Sequence, residues 1–191
     1  MKKISILFIS LFLISFHSLF AEDKPLNFEI GIATGFPFYG SKSLVNDMTD
    51  IEDGSRFVIG GTADMNLNLL PTFSLFTGAD LLSDFKWNSQ VHSNHLDYAF
   101  YFGAKIYPFA KGFNFSLAYA LGSRTDFMTT PLSKDEVKAF WGNGVRMSLE
   151  YNFSHGNSYK NLPAIGTYWR SMPRGKKLRD NILAFYLKMV F

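Results

Sequence analysis

Seven ionisable side chains recur at alternate positions inside otherwise apolar runs: Glu29, Asp64, Asp80, Lys105, Arg146, Glu150 and Lys188. Successive side chains of a β-strand point to opposite faces. Each of the seven therefore shares a face with small or polar neighbours, opposite a face of Leu, Ile and Phe. Unpaired charges on an enclosed face are costly, so these acids and bases are expected to pair. Two kinds of chemistry fit the set: an ion path gated by the charges, or a polar plug that leaves no passage. A second basic group, Arg170, Arg174, Lys176, Lys177 and Arg179, falls in a polar stretch. It would suit lipopolysaccharide phosphates or an anionic host surface, or would simply be solvated. His92 and His95 are too poor in acidic company to make more than a weak metal pair, and no phosphate loop, paired-carboxylate motif or metalloprotease signature occurs. No cofactor is expected.

The elements that must carry these residues have a period of two. Leu26, Phe28, Ile30, Ile32 and Thr34 alternate with Asn27, Glu29, Gly31, Ala33 and Gly35. Similar alternation runs through Phe57–Asn68, Phe73–Leu81 (with Phe76 out of phase), Leu96–Ile106, Phe113–Gly122, Gly144–Phe153 and Leu183–Phe191. Each run suffices for a tilted membrane-crossing strand, which takes about 9 to 11 residues. An eighth strand is placed over Ala164–Arg170, where alternation is poor, because closed single-chain barrels have even strand numbers. Pro163, which has no backbone donor, then belongs at that strand's start or at a bulge. Short connections at 68–72, 108–112 and 154–158 are assigned to one side and longer polar ones at 40–55, 83–95, 125–138 and 171–180 to the other. The acidic Asp47, Asp50, Glu52 and Asp53 of the first long loop should then lie beside the basic last one. Phe36, Phe57, Tyr98 and Trp141 at one end, and Phe73, Phe113, Tyr151, Phe153 and Phe191 at the other, read as two interfacial girdles.

Composition supports a wall of strands in lipid. Aromatics are 17% of the chain, with 21 Phe, yet mean hydropathy is only +0.02. Past the N-terminus nothing is apolar enough for a transmembrane helix. A soluble sandwich or lipocalin-like barrel is the competing architecture. It fits less well, because the glycines cluster on the polar face, as the inside of a thin barrel requires. Met1-Lys2-Lys3, an apolar run to Phe20 and Ala21 before Glu22-Asp23-Lys24-Pro25 read as a secretory signal peptide over residues 1–21, leaving 22–191 as one barrel domain. The formal charge is +3, and losing Lys2 and Lys3 with the leader leaves about +1, which is no nucleic-acid-binding balance. With no cysteine, disulfides, thiolate metal sites and a cysteine nucleophile are excluded.

The leader, the alternating runs and the terminal strand ending Phe185-Tyr186-Leu187-Lys188-Met189-Val190-Phe191 together resemble the small eight-stranded outer-membrane barrels of the OmpX and OmpW kind. That resemblance implies an all-β, antiparallel up-and-down transmembrane barrel in a bacterial outer membrane. It also implies outer-membrane lipids as surroundings and the barrel assembly machinery as a partner that reads Phe185, Leu187, Met189 and Phe191. Two non-enzymatic roles follow: a structural or surface-interaction barrel with a plugged, ion-paired lumen, or an OmpW-like carrier for small hydrophobic molecules through a side opening near Pro163. The segment Phe153-Ser154-His155-Gly156-Asn157-Ser158 is also faintly similar to lipid A deacylase barrels, whose His-x-Ser-Asn motif appears here as His-Gly-Asn-Ser. A nucleophile needs a base and an orienting third group, and no acid in the sequence is clearly placed to serve His155.

Overall fold

The computed structural model describes residues 25–40, 54–89, 91–109, 111–130, 133–155, 161–174 and 178–191, with backbone alone for 130 and 133–138. The proposed leader, the acidic residues Asp47–Asp53, and Lys176 and Lys177 lie outside the described residues. Eight strands close into an antiparallel barrel in chain order: β1 (Leu26–Phe38), β2 (Ser55–Leu70), β3 (Phe73–Trp87), β4 (His92–Ile106), β5 (Phe113–Thr130), β6 (Ser133–Asn152), β7 (Pro163–Pro173) and β8 (Arg179–Val190). The ring closes between β1 and β8, from Glu29 opposite Val190 to Phe38 opposite Asn181. Phe191 completes that seam: its amide donates to Phe28 O (2.8 Å), and the Phe28 amide donates back to Phe191 O (3.3 Å).

The polarity of the wall is the reverse of a soluble barrel's. Ile32 is 66% exposed and Phe102 63%, whereas Glu29 and Asn114 are fully buried. Exposed large apolar side chains on every strand suit a wall that meets hydrocarbon, and closure of the ring pairs each strand with a neighbour on both sides over most of its length. Phe185, Leu187, Met189 and Phe191 all stand on this outer face. Tyr98 and Trp141 meet edge to face at one end of the apolar band (6.3 Å), as do Tyr151 and Phe153 at the other (4.7 Å).

Two expectations about the strands need correction. The segments 83–95 and 125–138 are not long loops. β3 and β4 stay paired out to Trp87 opposite His92, and β5 and β6 out to Thr130 opposite Ser133. Alternation loses contrast there because polar Ser83, Asn94 and Thr125 interrupt the outer face between Phe85, Trp87 and Phe127, while Asp84, His95 and Asp126 lie inside, so hydropathy alone marks the strands' end too early. β7 likewise runs past Arg170 to Pro173. Pro163 does open β7, opposite Met189.

Gly78 is one of several inward glycines at a point of close approach, and it lies opposite Asp64 on β2 and Tyr101 on β4. A Cβ there would strike Asp64 Oδ1, Ala63 O and the Tyr101 ring. Gly61 points outward, and its Cβ would meet nothing nearer than Gly31 O at 3.5 Å. Gly78→Ala is therefore expected to lower unfolding free energy by about 1–3 kcal/mol, the usual cost of overpacking, while Gly61→Ala leaves it nearly unchanged. Urea unfolding from lipid vesicles, followed by tryptophan fluorescence, measures both.

Candidate functional site

Extending the inward parity of each strand produces one stacked set of charges along the lumen. In the lower layer three carboxylates surround two ammonium groups. Lys105 Nζ donates to Glu29 Oε1 and Oε2 (3.1 and 3.0 Å) and to Glu150 Oε1 (3.4 Å). Lys188 Nζ donates to Glu29 Oε2 and Glu150 Oε2 (3.1 Å each) and to Asp64 Oδ2. Neutral donors complete the carboxylates: Asn114 Nδ2 and Tyr186 OH on Glu150 (both 3.0 Å), and Tyr101 OH on Asp64 (2.5 Å). The five charged members come from β1, β2, β4, β6 and β8, so the cluster ties strands across the lumen as well as around it.

The middle layer is built on arginines. The Arg146 guanidinium lies between the rings of Tyr101 and Tyr168, 4.3 Å from each, and its Nε is 3.4 Å from Asp80 Oδ2. Such stacking stabilises a cation where water is absent. Arg170 bridges Asp80 on β3 and Asp97 on β4. Arg174 continues upward from Asp97 (2.6 Å) to Asp180 (3.1 Å).

In the uppermost layer Arg124 binds Asp180 through Nη1 (2.7 Å to each oxygen) and Asp126 through Nε and Nη2 (2.8 and 3.0 Å). His95 Nδ1 shares a hydrogen bond with Asp126 (2.7 Å), and the Tyr39 ring covers both Arg124 and His95. Asp126 stands beyond the outer aromatic girdle. Burial alone would raise its pKa, but the hydrogen bond and charge of His95, with Arg124, outweigh this and hold it below the ordinary carboxylate range.

All seven sequence-assigned lumen residues therefore face inward, and the network joins them. The assignment of Arg170 and Arg174 to an exposed basic loop is corrected: they are 1% and 4% exposed, with both guanidinium groups committed to lumen carboxylates. β7 keeps its parity from Ala164 through Tyr168 to Met172, which turns Arg170 inward. Arg179 opens β8 on the exposed side, within 3.4 Å of Ser171 Oγ. His92 and His95 are strand residues on opposite faces, one exposed and one buried, so they cannot share an ion. Among the described residues no group of three or more His, Cys, Asp and Glu could hold a metal. The imidazole of His155 is engaged between two turns, stacked on Tyr107 (3.6 Å) and donating from Nε2 to Pro71 O (2.9 Å).

Sequence reasoning missed Asp84, Asp97, Arg124, Asp126 and Asp180 as lumen charges, and His95 as the buried partner of Asp126. Their signal was parity, carried a few residues past the apolar ends of the strands, and Asp97 already sat on the inward face of its run.

The sequence matches no protein-family model and no curated protein. Among solved structures, Ail, the attachment invasion locus protein of Yersinia pestis, superposes with a TM-score of 0.61 at 9% identity, over 87% of this chain and 97% of that one. Ail in complex with the heparin analogue sucrose octasulfate gives 0.60 at 10% identity, with the same coverage. Neisserial surface protein A reaches 0.49 at 11% identity, covering 88% and 98%. The chain has the fold of the small eight-stranded outer-membrane barrels. At these identities the likeness is one of fold.

The lower layer makes a specific demand on Lys188. Lys188→Met leaves Glu29, Asp64 and Glu150 with Lys105 alone, and breaking a buried ion pair from one side costs about 3–5 kcal/mol. Adding Asp64→Asn to that variant should recover part of the loss. Equilibrium urea unfolding of the two variants in lipid vesicles reads the difference.

Proposed function

We propose that the protein is exported to the outer membrane and works there as a non-enzymatic barrel with a sealed lumen, presenting its outer strand ends and loops to the surroundings. The observation that carries this reading is the stack of lumen charges from Asp126 down to Glu29: ion pairs run from Asp126 to Arg146, and Tyr101, set between Arg146 and Asp64, joins them to the lower cluster. Eight strands enclose about the space that side chains fill. Here that space holds arginines and lysines, each fixed on carboxylates from other strands. Opening a water-wide path would separate several buried pairs at once, each at a cost of kilocalories.

The likeness of fold to Ail, an attachment invasion locus protein, supports surface interaction as the barrel's work. Lys176, Lys177 and Arg179 remain the basic residues that would meet an anionic glycan or lipid phosphate, since Arg170 and Arg174 are spent on the lumen. On this reading the outward row Phe185, Leu187, Met189 and Phe191 is what the assembly machinery reads, and outer-membrane lipids are the wall's only obligatory partners. An OmpW-like carrier opening beside Pro163 lacks support, because β7 is paired there with β6 and β8 alike. A deacylase lacks it as well, because the ring of His155 is engaged by Tyr107 and Pro71.

Planar-bilayer recording tests the sealed lumen. The intact barrel is expected to carry no sustained current, and Arg146→Ala combined with Arg170→Ala to admit one. A steady ohmic conductance from the intact protein would refute the reading. Surface proteolysis of whole cells, expected to cut at the long connections alone, checks which ends face outward.

A further inference from the structure

The wall is not equally fastened all round. β1 remains paired with β8 out to Phe38 opposite Asn181, and β2 with β3 out to Ser55 opposite Trp87. Between themselves, β1 and β2 pair only from Leu26–Leu67 to Ala33–Gly60. Beyond that point Thr34–Phe38 and Ser55–Ile59 face one another without a ladder. Pro37 removes one donor outright. Two side chains cross instead: Thr34 Oγ1 donates to Val58 O (2.7 Å), and Arg56 Nη2 donates to Pro37 O (3.3 Å). Arg56 is held for that task by Asp84 of β3, through Nε and Nη2 at 2.8 Å each.

The β6–β7 ladder also stops early, at Val145–Ser171, but only two residues short of the end of β7 at Pro173. That one is closed from within by Arg174. It donates to Phe140 O (3.0 Å) and Gly122 O (2.9 Å), is anchored on both Asp97 and Asp180, and is buried. The Arg56 side chain rests on a single carboxylate and is 39% exposed. The β1–β2 seam is the weaker of the two.

What lies on each side of that seam is apolar. Outside, Phe36, Phe38, Phe57 and Ile59 are exposed on the lipid face. Inside, Val58 packs against a cluster that includes Ala33, Leu82, Tyr168 and Ile182, between the charged layers. We propose that the outer half of the β1–β2 seam is a lateral site for an uncharged alkyl chain from the outer leaflet, with Arg56 as its latch. An apolar chain fits because, beside the Arg56–Asp84 pair, the gap is lined by Phe36, Phe57 and Ile59 outside and by Val58, Leu82 and Ile182 inside. The carbonyls that parting would expose, Pro37 O and Val58 O, sit at the outer end, where water and lipid head groups reach them. The site does not need the lumen to conduct, so it stands or falls separately from the sealed-lumen reading.

The test uses the full barrel in nanodiscs of deuterated lipid, with protonated decane as the probe. Nuclear Overhauser contacts are read from decane to the methyl groups of Val58, Leu82 and Ile182. Contacts to Leu82 and Ile182 are expected in the wild type. In Arg56→Gln they should strengthen on the order of tenfold, as loss of one charge-assisted hydrogen bond shifts an opening equilibrium. Continuing the register past Ala33–Gly60 sets Phe36 against Phe57, so Phe36→Cys with Phe57→Cys provides a disulfide lock. Oxidised, it should abolish the contacts; reduced, it should restore them, which separates locking from misfolding. Absence of contacts in both wild type and Arg56→Gln, or contacts that persist in the oxidised lock, would overturn the proposal.

Discussion

A closed ring of eight strands fixes the size of the space it surrounds, and in lipid that space is the one place a charge can be hidden. Every other feature of this barrel answers to that condition. The lumen charges come from all eight strands, and few of them bond within their own hairpin. Lys188 on β8 reaches Asp64 on β2, and Arg170 on β7 reaches Asp80 and Asp97 on β3 and β4. A buried ion pair is weak support for stability when compared with an apolar core, but removing one partner is severe. The network therefore acts chiefly as a condition of register. A one-residue slip of any strand would turn its charges into hydrocarbon and strip their partners.

Arginine and lysine divide this work by geometry. The two lysines occupy the lower layer, where compact ammonium groups sit among converging carboxylates. The arginines occupy the middle and upper layers, where a planar fork must bridge two acids, stack on tyrosine rings, or reach a wall carbonyl. The last of these joins the lumen to the wall. Arg56 and Arg174 donate to backbone carbonyls where ladders stop, so the same charges that fill the barrel also close its seams. Where the anchoring is double and buried the wall is tight, and where it is single and half exposed the wall has its weak point.

Much of the fold was legible because alternation of large apolar residues with Gly, Ser and acids is a direct imprint of a two-faced wall. Strand number followed from closure, and Phe191 from the terminal run. The outer ends were not legible, because there polar residues break into the outer face among Phe85, Trp87 and Phe127 and the period loses contrast. Thus Asp84, Asp126 and Asp180 read as loop residues although parity puts them inside. Arg170 and Arg174 misled for a related reason: beside Lys176, Lys177 and Arg179 they look like one basic patch, and only the continuation of β7 to Pro173 separates them. The gap between β1 and β2 had a faint mark in Pro37, but a proline near a strand's end has several readings until the partner strand is known.

The central claim is that the lumen charges are energetically coupled across the barrel. A double-mutant cycle on Arg170→Met and Asp97→Asn, measured by urea unfolding in lipid vesicles, addresses it directly. These residues sit on β7 and β4, three strands apart in the ring. A coupling free energy of about 2–3 kcal/mol is expected, at the upper end for contacting charged partners. Additivity within about 0.5 kcal/mol, the behaviour of independent sites, would contradict the account.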